Sequence, residues 1–220
     1  MDDLGGLAAY QAASLEGEAE GGGFDASLWV VTELLRRVQL KHADDSDVAL
    51  PSPATADDSR DHLCISRAAD GSAPLLRLLD VGAIRRRYQT SDDSRIADLP
   101  VAIDLVAIDL RSDDPGVREI DFFDFVSEHG GSVDAPEDLF DVVVLSLVVN
   151  FVPDPRKRGD MLRQAASLLR PGGLLFLALP LACVENSRYC RRSLLAAMLK
   201  VCCACVCWPC MADLIRLPRL

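Results

Sequence analysis

The sequence predicts a doubly wound, mostly parallel α/β sheet, and three observations carry that prediction. First, apolar runs recur that are too continuous for half-exposed strands: LLRLLDVGA from Leu75, VAIDLVAIDL from Val101, DVVVLSLVV from Asp141 and LLFLALP from Leu174. Strands buried on both faces of a parallel sheet read this way, because helices cover each side and alternation gives way to Val and Leu. Second, the last two runs are separated by an amphipathic helical stretch that begins at Pro155. Third, the first run breaks on Gly82, as a strand does when it turns at the carboxyl edge of such a sheet.

Taken in order, the elements are as follows. Asp25 or Ser27 can cap a helix through Leu28, Val31, Leu34, Leu35 and Val38, with Gly21, Gly22 and Gly23 as a break before it. From His42 to Arg60 the chain is rich in Asp, Ser, Pro and Ala without periodicity, which predicts a solvated, disordered connector. Leu75 opens the first strand, and the second copy of VAIDL, ending at Asp109 and Leu110, is the second. A turn at Asp113, Asp114, Pro115 and Gly116 precedes IDFFDF, expected as a short third strand ending at Asp121 and Phe122. The fourth strand is Phe140 to Val149, closed by Asn150, Phe151 and Pro153. Pro155 suits the first turn of the next helix, whose stripe is Met161, Leu162, Ala165, Leu168 and Leu169. Pro171, Gly172 and Gly173 stop it before LLFLALP.

The totals set limits on function. At 220 residues, half of them hydrophobic, the chain can hold one α/β domain with a sizeable core plus extensions. Its net charge of −11 disfavours a free-standing, non-specific nucleic-acid binder. The charge is uneven, however: residues 151–220 hold 11 Lys/Arg against 4 Asp/Glu. That third can present a basic face to RNA, or be only a solvated helix surface. Met1 is followed by Asp2 and Asp3, so no signal peptide is read, and the apolar run Leu174 to Val184 is too short to span a bilayer. Eight cysteines without a signal peptide are expected as free thiols in a reducing compartment. A soluble intracellular protein is therefore expected.

The chemistry-bearing residues lie at the ends of successive strands. Asp80 and Gly82 flank the first turn, but G-x-G-x-x-G is absent, since Ala83, Ile84 and Arg85 follow. A dinucleotide, whose pyrophosphate needs several close amides, is disfavoured; a nucleoside such as S-adenosylmethionine demands less. Asp109 ends the second strand, where a carboxylate can accept both hydroxyl protons of a ribose. Asp121 and Phe122 are placed to hydrogen-bond and stack on an adenine. Each has a plainer reading as well: a structural turn, a solvated carboxylate, a core phenylalanine. Asn150 and Phe151 either touch a substrate or close a turn. His42, His62 and His129 lie in polar stretches without ligand partners, so no metal is assigned.

The succession LLDVGA, IDL, IDFFDF, FDVVVLSLVVNFVPDP, LLRPGGLLFLALP and NSRY resembles the fungal large-subunit (25S) rRNA adenine-N1 methyltransferase family. An animal relative of that family is the SAMTOR-type S-adenosylmethionine sensor. YQAASLEG, from Tyr10, is similar to the family's YQ-x-x-S-x-x-G segment, and the resemblance covers roughly residues 10–38 and 75–189. SLVVNFVPDP and NSRY are the distinctive parts, whereas LRPGG is shared by many methyltransferases. The resemblance implies a Rossmann-like class I methyltransferase fold with S-adenosyl-L-methionine as ligand. It implies Asp80, Gly82 and Asp109 at the cofactor, with Asp121 and Phe122 at its adenine. Asn150 and Phe151 would then meet the acceptor adenine, with Arg156, Lys157, Arg188 and Tyr189 on the RNA side. The implied substrate is large-subunit rRNA or a pre-ribosome, methylated in the nucleus and nucleolus by a monomer without metal or membrane. The alternatives are a non-catalytic S-adenosylmethionine sensor and a truncated, inactive member of the family.

The expected organisation is a helical segment (1–40), an acidic, largely disordered connector (41–74), a cofactor-binding domain (75–189) and an atypical Cys-rich tail (190–220). Residues 193–201 can form a helix, with Leu194, Leu195, Met198 and Leu199 apolar. No terminal strand pair is recognisable in CCACVCWPCMADLIRLPRL, which predicts an incomplete sheet edge and a truncated or aberrantly translated end. Cys207 and Cys210 form a lone C-x-x-C, and adjacent Cys202, Cys203 and Cys205 suit zinc poorly.

Overall fold

The computed structural model describes residues 25–41, 63–66, 74–89, 94–129, 138–180, 182–185, 193–195, 197 and 215–216. Two small parallel strands, β1 (Val38–Lys41) and β2 (Leu63–Ser66), pair with each other. The main sheet holds β3 (Leu75–Val81), β4 (Ala102–Asp109), β5 (Arg118–Glu119), β6 (Phe140–Ser146), β7 (Leu169–Ala178) and β8 (Ile215–Arg216). Its strand order is β5-β4-β3-β6-β7-β8, and every pairing is parallel. The chain starts in the middle at β3, winds outward through β4 to β5, then crosses back to β6. The reversal of winding opens a crevice at the carboxyl ends of β3 and β6, where open α/β sheets bind ligands.

Both faces of the sheet are covered, as the continuous apolar runs require. Leu76, Leu78, Val142, Val144 and Phe176 pack with Trp29, Val31 and Leu34 of α1 (Ala26–Arg37) and with Leu63 and Ile65 of β2. Trp29 meets Phe176 edge to face at 5.3 Å between ring centroids, a favoured aromatic geometry. On the other face, Leu79, Val81, Val143, Leu145 and Leu175 meet α2 (Phe122–His129) and α3 (Pro155–Ser167). At the amino ends of the strands, buried Asp141 accepts the Arg77 N–H at 2.7 Å and pairs with Arg170. This pins β3, β6 and β7 together on the side opposite the crevice.

Helix α3 is as expected: Asp154 caps it through the Arg156 N–H at 2.8 Å, and Met161, Leu162 and Ala165 are buried. Its capping and its stripe are both local, so the sequence shows them. Pro171, Gly172 and Gly173 do not lie between helix and strand. The helix ends at Ser167, and Arg170–Gly173 bulge out of β7 between the pairs Phe140↔Leu169 and Val142↔Leu174. Helix α1 is capped by Asp25, whose Oδ1 accepts the Leu28 N–H at 3.0 Å, while Leu28 itself is exposed and Trp29 and Val30 take the core positions.

One further expectation is corrected, and two others gain detail. IDFFDF is not a strand: β5 ends at Glu119, and Asp121 accepts the Phe123 and Phe125 amides (2.8 and 2.9 Å) to start α2, burying Phe122 and Phe125. Spacing of three residues between those rings is helical spacing, which outweighs the β propensity of Phe over so short a run. The connector expected over 41–74 contains β2, whose Leu63 and Ile65 are buried. The tail supplies β8, two residues pairing beside β7 on the edge expected to be unfinished. Residues 193–195 and 197 are helical, in keeping with the expected helix there. Among the described residues no helix is long and apolar enough to cross a membrane.

Candidate active site

The carboxyl ends of β4, β3 and β6 lie side by side along one edge of the sheet, where the topology places the crevice. Gly82 turns the chain out of β3 with φ +83°, and a Cβ there would lie 2.0 Å from Val148 Cγ1. Both the conformation and the space therefore demand glycine, because the turn after β6 presses directly on the turn after β3. Gly82 and Ala83 N–H groups donate to the Ile108 carbonyl at 2.9 and 3.1 Å, which carries the ladder one step past β3 towards Asp109. Leu147, at φ +58°, and Tyr88, at φ +67°, are held in the left-handed region that side chains disfavour. Such strain gathers where surrounding structure over-determines a site.

Asp80 is buried on β3, opposite Ala107 and Val144 in the neighbouring strands. Burial raises its pKa to about 7; Arg87 opposes that rise and Asp109 adds to it. Arg87 reaches back to the first turn of α1, donating to Ser27 Oγ at 3.3 Å and pairing with Asp25 at 3.5 Å. The amino end of α1 is thereby held at the rim of the crevice. Asp109, at the end of β4, accepts the Arg111 N–H at 3.0 Å. Burial pushes its carboxyl upward, backbone amides oppose, and Glu119 reinforces the rise. Leu110 beside it is exposed, an apolar surface next to the carboxylate. Asp121 sits one step farther along the same edge but spends one oxygen capping α2. Phe122 is buried in the core, and its neighbour Phe123 is only partly buried.

Beyond β6 the chain makes a single 3-10 turn, Val149–Phe151. That turn is closed by backbone bonds, Phe151 N–H to Val148 O at 3.0 Å and Val152 N–H to Val149 O at 3.3 Å. Asn150 Oδ1 takes no part in closing it: this oxygen is buried and accepts no hydrogen bond. An unmade buried hydrogen bond costs about 1–3 kcal/mol, and Gln164 Oε1 on α3 is likewise buried without a donor. Phe151 is 45% exposed. Arg158 Nε donates to Val152 O at 2.6 Å and ties this turn to α3. Arg156 and Lys157 are exposed on the first turn of α3, with Lys157 Nζ 5.9 Å from the Phe123 ring centroid. Arg188 and Tyr189 lie outside the described residues.

The structure thus brings Asp80, Gly82, Asp109 and Asp121 to one edge, with Asn150 and Phe151 beyond the adjoining strand. Sequence reading missed Arg87, Leu110, Phe123 and Val148. The IRRRY run from Ile84 could have drawn attention to Arg87, but nothing local marks Val148 as the reason for Gly82.

Comparison with known proteins is decisive at this point. The family model described as 25S rRNA (adenine(2142)-N(1))-methyltransferase, Bmt2, matches residues 1–207. The chain belongs to the Bmt2 family. A Saccharomyces cerevisiae protein named 25S rRNA (adenine(2142)-N(1))-methyltransferase is 29% identical over 199 residues, covering 90% of this chain and 46% of the relative. The 25S rRNA adenine-N(1) methyltransferase of Schizosaccharomyces pombe is 30% identical over 191 residues, or 84% of this chain and 54% of the relative. A Danio rerio protein named S-adenosylmethionine sensor upstream of mTORC1 is 32% identical over 117 residues, covering 48% and 29%. The chain spans about half the length of the two fungal Bmt2 relatives. The six-stranded parallel sheet is the Rossmann-like architecture expected of a class I methyltransferase.

Proposed function

We propose that this Bmt2-family chain is an S-adenosylmethionine-dependent methyltransferase acting on N1 of an adenine in large-subunit rRNA. The observation that carries this reading is the match of the 25S rRNA (adenine(2142)-N(1))-methyltransferase family model over residues 1–207. The residues at the rim of the crevice fit the cofactor: Gly82, packed under Val148, turns the chain sharply out of β3, and Asp109 offers a partly exposed carboxylate for ribose hydroxyls. Leu110 and Phe123 supply apolar surface for an adenine, with Asp121 at its edge and Phe122 behind it in the core.

When bound, S-adenosylmethionine supplies a methyl group on a positively charged sulfonium. Transfer of that methyl to the adenine N1 lone pair, with the sulfur leaving as a neutral thioether, would need the chain to hold the base in line with it. The positive charge passes to the methylated ring, so the step releases no proton and needs no strong base. What the chain provides is alignment and exclusion of water. Asn150 Oδ1 accepts the exocyclic N6–H beside N1, which fixes the ring edge and satisfies the orphaned oxygen. Phe151 stacks on the extruded base, the usual way an RNA base is held for chemistry. Arg156 and Lys157 meet the flanking phosphates, as would Arg188 and Tyr189. A nucleolar location and pre-ribosomal substrate go with this reading.

The second reading, a non-catalytic sensor, draws on the similarity to the Danio rerio protein and on the chain's net charge of −11. One pair of variants separates the two. Asp109→Ala is expected to abolish S-adenosylmethionine binding in calorimetry. Asn150→Ala is expected to keep binding and lose methyl transfer to unmodified large-subunit rRNA. Equal loss of cofactor binding in both variants sinks the role given to Asn150, and binding by wild type without any transfer favours the sensor.

A further inference from the structure

The loop after β3 and the loop after β4 are clasped together by side chains that the proposed reaction does not use. Asp114 Oδ2 accepts the Arg86 N–H at 2.7 Å and its Oδ1 accepts the Gly116 N–H at 2.8 Å. Arg86 Nε stands 3.5 Å from the same carboxylate. Ser112 Oγ donates to Ile84 O at 2.6 Å and accepts the Asp114 N–H at 3.1 Å, while the Ser112 N–H is held by Glu119 at 3.0 Å. The Arg86 side chain lies across Gly116 so closely that a Cβ there would be 1.9 Å from Nε. These two loops are 28 residues apart in sequence, and they carry Gly82 at one end and Asp109 at the other.

We propose that Asp114, assisted by Ser112 and by the bare Cα of Gly116, is a positioning residue that sets the distance between the Gly82 turn and Asp109. It thereby preorganises the nucleoside crevice. The inference rests on the cofactor reading above and names the device that holds that crevice open to the right width. Neither loop has secondary structure to fix it. Past Ile108 the β3–β4 ladder has ended, and Gly82 and Ala83 share a single acceptor there. Arg87 ties the first loop to α1 and Ala83 packs with Val117, so losing the clasp loosens the loops, and the ligand bears the remaining cost of ordering them. The two backbone amides also hold the Asp114 carboxyl below the usual range, so it stays ionised, the form that accepts both bonds.

The test is calorimetric binding of S-adenosylhomocysteine, together with the amide resonances of Arg86 and Gly116. Wild type should bind with both amides protected from exchange. Asp114→Ala should weaken binding about tenfold and expose both amides. Asp114→Asn keeps one acceptor oxygen and should recover part of the affinity and protect one amide. Ser112→Ala, a milder change for use if Asp114→Ala does not fold, should weaken binding roughly threefold. Binding by folded Asp114→Ala or Ser112→Ala that equals wild type overturns the positioning role while leaving the cofactor reading intact. Affinity that simply tracks thermal stability, with no recovery in Asp114→Asn, overturns it too. Wild type that does not bind at all overturns the cofactor reading, and the clasp's role falls with it.

Discussion

Asp80 and Gly82 answer to folding and to function in opposite ways. A carboxyl whose folded pKa, here about 7, lies above the ordinary aspartate value of 3.8 is protonated more readily in the folded chain. The folded state therefore holds the extra proton between about pH 4 and 7, and stability falls as pH rises through that window. Below the unfolded value the penalty is gone. Asp80→Asn is thus expected to stabilise the ligand-free protein at pH 7, by at most about 4 kcal/mol, with the gain vanishing as urea melts are repeated towards pH 4. Arg87 bounds the gain, because the substitution removes its counter-charge. At Gly82 the expectation is loss. Gly82→Ala meets Val148 at 2.0 Å and a φ of +83°, so it should cost about 2 kcal/mol or more in a urea melt and close the crevice to cofactor.

Among the elements, β2 is the sharpest case. It stands in a stretch whose composition reads as connector, yet Leu63 and Ile65 join the core formed by α1 and the sheet. A buried isoleucine truncated to alanine typically costs 2–5 kcal/mol. Ile65→Ala should therefore destabilise by about 2 kcal/mol or more in chemical denaturation, whereas a solvated connector predicts a change near zero. Helix α3 behaves as its sequence says, since Asp154, Pro155 and the Met161–Leu162–Ala165 stripe act within a few residues of one another. Asp154→Ala is expected to cost about 1 kcal/mol through the lost cap. Helix α2 shows the reverse situation. FFDF has strand-forming residues, and Asp121 decides the matter by capping the Phe123 amide with its side chain, while its backbone carbonyl accepts the Phe125 N–H as the first helical bond. That moves Phe122 from a crevice wall into the core and leaves Phe123 at the surface beside Lys157.

At the scale of the molecule, charge and topology work together. A chain of net charge −11 repels RNA as a whole, so the proposed rRNA contact has to be local. Among the described residues, Arg156 and Lys157 on the first turn of α3 are exposed next to Phe151. Replacing Arg156 and Lys157 together by alanine should weaken rRNA binding and reduce the slope of log affinity against log salt by roughly 1.5. An unchanged slope would place the RNA on another surface. The two fungal Bmt2 relatives extend to about twice the length matched, and the crevice nonetheless has walls from β3, β4 and β6 within this chain.

The sequence by itself determined the parallel sheet, the glycine turn after β3, helix α3 and the row of acidic residues along one edge. These are signals of period, capping and apolar continuity, and they act over a few residues. Only the tertiary structure decided that Val148 is what makes Gly82 obligatory, that Arg87 ties α1 to the rim, and that Asp114 clasps two loops 28 residues apart. It also decided that LCIS is a core strand and that Asn150 Oδ1 is buried without a donor. Each of these depends on contact between distant segments, which leaves no period or composition in the chain to read. The crevice was legible in outline because strand ends are written locally; its dimensions were not, because they are set where the loops meet.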